Sequence, residues 1–169
     1  RDLYIDRSDF ELEPPDDFFR LAPGGSARLK YGFIVDFEDA VFDADGRLQE
    51  VHVRFDPGTR SGQDQSGRKV KGTIHWVHQS TAKRLEVRLY DRLFTVPDPG
   101  KYDDLASCLN SDSLIVKEAL VEPELAESMP EAYFQFERVG FFKQDSGNTS
   151  SRPVYNRSVA LKDTWAKRK

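Results

Sequence analysis

Apolar and polar residues alternate with a period of two along most of the chain, the pattern of strands buried on one face. "DLYIDRSDF" (2–10) alternates and stops before Pro14-Pro15. "SARLKYGFIVDFEDAVFDADG" (26–46) predicts two strands with a break near Glu38-Asp39. Its "DADG" end is a hairpin signal, because glycine supplies the positive φ that such turns need. "RLQEVHVRFDP" (47–57) alternates through Leu48, Val51, Val53 and Phe55, with a slip at Glu50. A polar, glycine-rich loop (58–69) follows, then strands in "VKGTIHWV" (70–77) and "RLEVRLYDRLF" (84–94). "VPDPG" (96–100) is a turn, and "SLIVKEALVEPEL" (113–125) opens as a strand. "AYFQFERVGFFKQDS" (132–146) alternates strongly and "PVYNRSVALKDTW" (153–165) closes the pattern. Only "KYDDLASCLN" (101–110) and "EPELAESMPEA" (122–132) read as helical, and both are short. Many short strands separated by turn residues predict an all-β sandwich or barrel protein. Alternation places Ile74, Trp76, Leu89, Leu93, Phe134, Phe136 and Leu161 inside.

Composition narrows the class. The 169 residues suit one or two small domains, with 38% hydrophobic and 32% charged residues. No apolar run approaches a membrane span. Residues 1–20 are rich in charge and lack the apolar core of a secretory leader. The single cysteine, Cys108, cannot form an intrachain disulfide, which fits a reducing cytoplasmic setting. It also excludes a cysteine-rich zinc site, and the three histidines show no metal-ligand spacing. No metal, cofactor or catalytic residue is expected in this chain. The net charge of −4 argues against an evenly basic nucleic-acid binder but leaves room for a local patch.

No chemical motif of an enzyme stands out. "PGGSA" (23–27) lacks the Gly-Lys-Ser/Thr ending of a phosphate loop and reads as a tight turn. There is no nucleophile elbow, and Asp16-Asp17 and Asp103-Asp104 read as solvated turn or cap residues. Basic and amide side chains interleaved with strand aromatics are more informative. Arg20, Arg28 and Lys30 surround one glycine turn, and Gln135 and Arg138 lie on "YFQFER". Unstacked RNA bases are read by such surfaces, on aromatic and guanidinium planes with hydrogen bonds at base edges. The same pattern also describes the solvated side of alternating strands. A basic turn at Arg68, Lys69 and Lys71 precedes the apolar "TIHWV". From the residues alone it reads as a solubilising turn, with Gly72 permitting close backbone approach or a bulge.

Four segments in order carry a family resemblance: "GRKVKGTIHWV" (67–77), "VRLYDRLFTVPDPG" (87–100), "AYFQFERVGFF" (132–142) and "PVYNRSVALKDTW" (153–165). Together they resemble the C-terminal anticodon-binding region of glutaminyl-tRNA synthetase, a class I aminoacyl-tRNA synthetase of the glutamyl/glutaminyl group. The "AYFQFER" and "NRSVALKDTW" segments resemble the glutaminyl branch more than the eukaryotic-type glutamyl branch. The resemblance implies two small β-barrels with a few short helices, the first incomplete here. A proximal barrel would use residues 1–15, about 70–100 and about 145–169; a distal one would use about 16–69 and about 101–144. It also implies a parent glutamine-tRNA ligase whose upstream catalytic domain uses ATP and magnesium. This chain lacks the two ATP-site signatures of that domain and is expected to be inactive alone. The implied partners are tRNA(Gln) and the upstream catalytic domain, in a monomeric cytoplasmic protein. A eukaryotic-type glutamyl enzyme and a β-barrel interaction module without RNA affinity are the alternatives.

Matched position by position, the resemblance puts Arg20 at the third anticodon base and Arg28 and Lys30 at the first. The family often has arginine where Lys30 stands. Gln135 and Arg138 fall at the middle base, and Thr164 in the closing segment. Regular alternation would send Gln135 and Arg138 to opposite faces. The two meet one base only if the strand bends, bulges or ends between Phe136 and Val139. Such an irregularity is expected, with both side chains converging on an exposed pocket near Arg20.

Overall fold

The computed structural model describes residues 1–126, 132–146 and 153–161. It is built almost wholly from strands. The described residues contain eleven strands, a single short α-helix at Pro123–Ala126 and four 3-10 turns. The helix expected in residues 101–110 is instead two separated 3-10 turns, Pro99–Lys101 and Ala106–Cys108. Pro99 and the Asp103-Asp104 pair favour such short turns over a continuous helix. The chain divides into two compact units, Arg1–Ser80 and Thr81–Lys169.

The first unit holds β1 (Leu3–Ile5), β2 (Ser26–Leu29), β3 (Ile34–Phe42), β4 (Leu48–Asp56), β5 (Thr73–Ile74) and β6 (Trp76–His78). Its main sheet has the order β4-β3-β2-β5, and β1 pairs with β6 in a two-stranded sheet. The predicted break at Glu38-Asp39 is a bulge inside the single strand β3, where register shifts between Phe37 and Asp39. A second shift, between Val41 and Phe42, accommodates the slip foreseen at Glu50. The "DADG" turn forms as read: Gly46 has φ 75°, and Asp43 Oδ1 accepts from the amides of Asp45 and Arg47. "VKGTIHWV" is two strands rather than one. β5 joins β2 in parallel, β6 joins β1, and His75 is the switch between sheets. Phe10, Leu21, Ala27, Leu29, Val35 and Ile74 form the core, with Trp76 packed half-buried against it.

The second unit holds β7 (Lys83–Tyr90), β8 (Leu114–Val121), β9 (Tyr133–Phe136), β10 (Gly140–Gln144) and β11 (Val154–Ala160) in one sheet, order β8-β7-β11-β10-β9. The β7–β11 pair is parallel and the others antiparallel. Leu85, Val87, Val121, Phe142 and Tyr155 form its core, with Leu89, Phe134 and Phe136 packed against them. Two inward assignments are corrected: Leu93 is 56% exposed and Leu161 40% exposed. Each lies just beyond a strand end, where the period of two no longer decides which way a side chain points.

Each compact unit is a contiguous stretch of chain. β1 with β6 joins residues 3–5 to 76–78, and β7 pairs along its whole length with β8.

Candidate nucleic-acid interface

Arg20, Arg28 and Lys30 all belong to the first unit, and Gly72 explains how their backbones come together. A Cβ on Gly72 would stand 1.7 Å from the Phe19 carbonyl oxygen and 3.1 Å from the Arg20 Cα. Only glycine permits that approach. On its other side, the Gly72 carbonyl accepts from the Arg28 amide at 2.9 Å. One residue therefore holds the Arg20 and Arg28 backbones on either side of itself. The basic turn before β5 is divided in role. Arg68 bridges Asp36 at 2.5 Å and Asp56 at 2.9 Å, so it is a clamp on strands β3 and β4. Lys71 lies over the exposed ring of Phe19, 4.6 Å from its centre.

Each arginine is oriented by partners far away in sequence. Arg20 Nε lies 3.2 Å from Asp9 Oδ1, and its Nη1 donates to the Ser8 carbonyl at 2.7 Å. Asp9 is fully buried while the Arg20 side chain is 38% exposed, so one end of the guanidinium is anchored and the other faces water. Arg28 donates to the Thr59 carbonyl and to Asp64 Oδ2, both at 2.6 Å. Asp64 is held at about 2, below its ordinary value, first by the Ser66 hydroxyl and amide and then by Arg28. The Lys30 carbonyl accepts from the Trp76 indole at 2.9 Å, and its ammonium lies 5.0 Å from the Tyr31 ring centre. Tyr31 is 78% exposed and has φ 58°. A non-glycine residue in that region costs energy and attracts functional attention. Sequence reasoning passed over Tyr31, Asp9 and Asp64; exposure and partners 11 to 36 residues away leave no periodic mark.

Gln135 and Arg138 belong to the second unit. The strand does end where expected: β9 stops at Phe136, residues 137–139 turn, and β10 starts at Gly140. Arg138 stands exposed at the tip with φ 68°. The turn closes through the Val139 amide and the Phe136 carbonyl, 3.0 Å. Gly140 is required by crowding, since a Cβ there would meet the Val159 carbonyl oxygen at 2.4 Å. On the outer face, Tyr133 pairs with Lys143 and Gln135 with Phe141. The Lys143 ammonium lies 5.2 Å from the Tyr133 ring centre. Aromatic, amide and basic groups thus alternate on one exposed face, as base stacking and edge recognition require. Thr164 lies outside the described residues.

Family models match both parts of the chain. Residues 1–56 and 73–145 each match a model described as tRNA synthetases class I (E and Q), anti-codon binding domain. The chain belongs to this anticodon-binding family. Among its relatives is the glutamine--tRNA ligase of Rhodopirellula baltica, 50% identical over 169 residues, which are 98% of this chain and 28% of that protein. The glutamine--tRNA ligase of Serratia proteamaculans is 44% identical over 168 residues, covering 99% of the chain and 30% of the relative. That of Escherichia coli O157:H7 is 44% identical over 167 residues, covering 98% and 30%. The chain therefore spans 28–30% of the length of these curated relatives. Among the described residues of this anticodon-binding chain, no helix is long and apolar enough to cross a membrane, and no cluster of three metal-ligating side chains occurs. "PGGSA" is a tight turn closed by the Gly25 amide on the Ala22 carbonyl at 2.9 Å.

Proposed function

We propose that the chain is the anticodon-recognition region of a glutaminyl-tRNA synthetase, and that it selects tRNA(Gln) for a catalytic domain elsewhere in the protein. The observation that carries this reading is the identity to glutamine--tRNA ligases along 98% of the chain. In the parent enzyme, glutamine is joined to tRNA with ATP and magnesium, in a monomer of the cytoplasm. The chain spans 28–30% of the length of its glutamine--tRNA ligase relatives, so that chemistry is assigned to the part of the protein that it does not span. The sheets of the two units are read as walls of a proximal and a distal β-barrel.

Arg20 serves the third anticodon base, Arg28 and Lys30 the first, and Gln135 with Arg138 the middle one; Thr164 belongs to the closing segment. Recognition is differential binding. The right base satisfies groups that a wrong base leaves desolvated and unpaired, at about 1–3 kcal/mol per base on the scale of direct readout. The half-anchored guanidinium of Arg20 supports this, because orientation is fixed before RNA arrives. The test is titration of this chain with glutamine tRNA and with the same tRNA carrying the glutamate anticodon. Tighter binding of the glutamine anticodon is expected. Equal binding of both would overturn anticodon selection, and preference for the glutamate anticodon would favour the glutamyl enzyme.

A further inference from the structure

Beside β3, the loop of residues 57–66 and Phe33 enclose an open groove of about 690 Å3. We infer that this groove is a subsite for one unstacked nucleotide of single-stranded RNA, beside the position served by Arg28. The inference rests on the anticodon-recognition reading and adds contact residues to it. The loop that builds the groove falls between the two family-model matches, which end at residue 56 and resume at residue 73.

The lining has the chemistry of a base pocket. Phe33 offers an aromatic ring whose orientation is set by an edge contact with Phe55, 5.4 Å between centres. Base–aromatic stacking is sequence-tolerant and is a main source of single-strand affinity. Arg60 is exposed and makes no ion pair among the described residues, which leaves its guanidinium available to a phosphate or a base. Gln63 and Gln65 bring amides that both donate and accept, as base edges require. The nearby carboxylates would repel RNA if they were bare. Asp64 is paired with Arg28, and Asp36 and Asp56 share Arg68, so two of these three negative charges are offset and none of the three carboxylates is bare.

The groove is also held in shape. Thr59 is fully buried; its hydroxyl accepts from the Ile34 amide at 2.8 Å and donates to the Asp56 carbonyl at 2.7 Å. The Ser61 amide donates to the Gly32 carbonyl at 2.8 Å, tying the loop to the turn before Phe33. Arg28 grips the loop twice, at Thr59 between Gly58 and Arg60, and at Asp64 between Gln63 and Gln65. In the free chain Arg28 is therefore a positioning residue for both rims. A site ordered before binding loses less entropy on complex formation.

The test titrates this chain with the anticodon stem-loop of glutamine tRNA, with 2-aminopurine placed at each loop position in turn. One position should change fluorescence on binding, and Phe33→Leu should abolish that change and weaken binding about ten-fold, the scale of losing one stacked base. Arg60→Ala and Gln63→Ala alter exposed side chains and should weaken the same signal without moving the thermal midpoint. They decide the matter if Phe33→Leu fails to fold. Parent-like affinity and fluorescence in Arg60→Ala and Gln63→Ala would overturn the subsite while leaving anticodon recognition standing. No binding of the stem-loop by the unaltered chain would overturn both.

Discussion

Asp64 shows how one side chain can hold a basic loop in place. Its carboxylate takes the Ser66 hydroxyl at 2.6 Å and the Ser66 amide at 2.9 Å, besides Arg28. These lower its folded value from 3.8 to about 2. A carboxyl depressed on folding adds stability above its unfolded value, and that contribution is lost as pH falls toward the folded one. The Asp64 anchor should therefore be complete above about pH 4–5 and fail on approach to about pH 2. Carbon-13 NMR of the carboxyl should show a midpoint near 2. Ser66→Ala should raise it by removing the largest single contribution, the hydroxyl bond, while the backbone amide bond remains, and Arg28→Ala should raise it as well. A larger rise in Arg28→Ala would mean that charge, not the Asx turn, holds the loop. Arg68 works the same way from the other partner. Its two carboxylate bonds raise its own value, and it holds Asp36 below the usual range, ahead of the contribution of Ser26. The sequence displayed these arginines but not their carboxylate partners, since a partner 12 to 36 residues away is fixed only when strands align.

The hairpin of β9 and β10 and the junction at β5 are where local pattern and tertiary demand part. Alternation in "YFQFER" correctly set Phe134 and Phe136 toward the core, and the conflict over Arg138 correctly pointed to a strand end. What alternation could not supply was the left-handed backbone of Arg138, φ 68°. That conformation costs a non-glycine residue about 1–2 kcal/mol, which glycine avoids. Arg138→Gly should thus change the unfolding free energy by no more than about 1 kcal/mol, while discrimination at the middle anticodon base falls. A large loss of stability with discrimination intact would make Arg138 a structural residue. Gly72 is the opposite case, a glycine that packing alone requires. Gly72→Ala should destabilise by about 3 kcal/mol, at the upper end for overpacking, because the Phe19 backbone has to move away. Urea denaturation checks this, and an unchanged midpoint would show that the Phe19–Arg20 segment yields freely. The switch of sheets at His75 left no trace in "TIHWV", whose composition suits one strand as well as two short ones.

Over the whole chain, charge pairing decides how an acidic protein can bind an acidic polymer. The net charge is −4, yet most of the prominent arginines are already matched internally. Arg20 meets Asp9, Arg28 meets Asp64, Arg54 meets Glu38, Arg68 meets Asp36 and Asp56, Arg84 meets Glu118, and Arg88 meets Glu86. Few of these cations remain to displace counterions from phosphates, so affinity has to come chiefly from stacked bases and edge contacts. Salt is the lever that separates the two sources, because the logarithm of affinity falls with the logarithm of salt by about 0.7 per neutralised single-strand phosphate. Binding of the glutamine anticodon stem-loop should therefore fall with a shallow slope, about −2 or less steep, as expected for roughly three phosphate contacts. Changing an anticodon base should shift the affinity at every salt concentration and leave that slope alone, because bases carry the selection and phosphates only the position. A steep slope, near −5, with little dependence on anticodon sequence would instead identify a general polyanion surface. In that case the paired arginines exchange their carboxylates for phosphates on binding, and the ion pairs of the free chain are stand-ins for RNA.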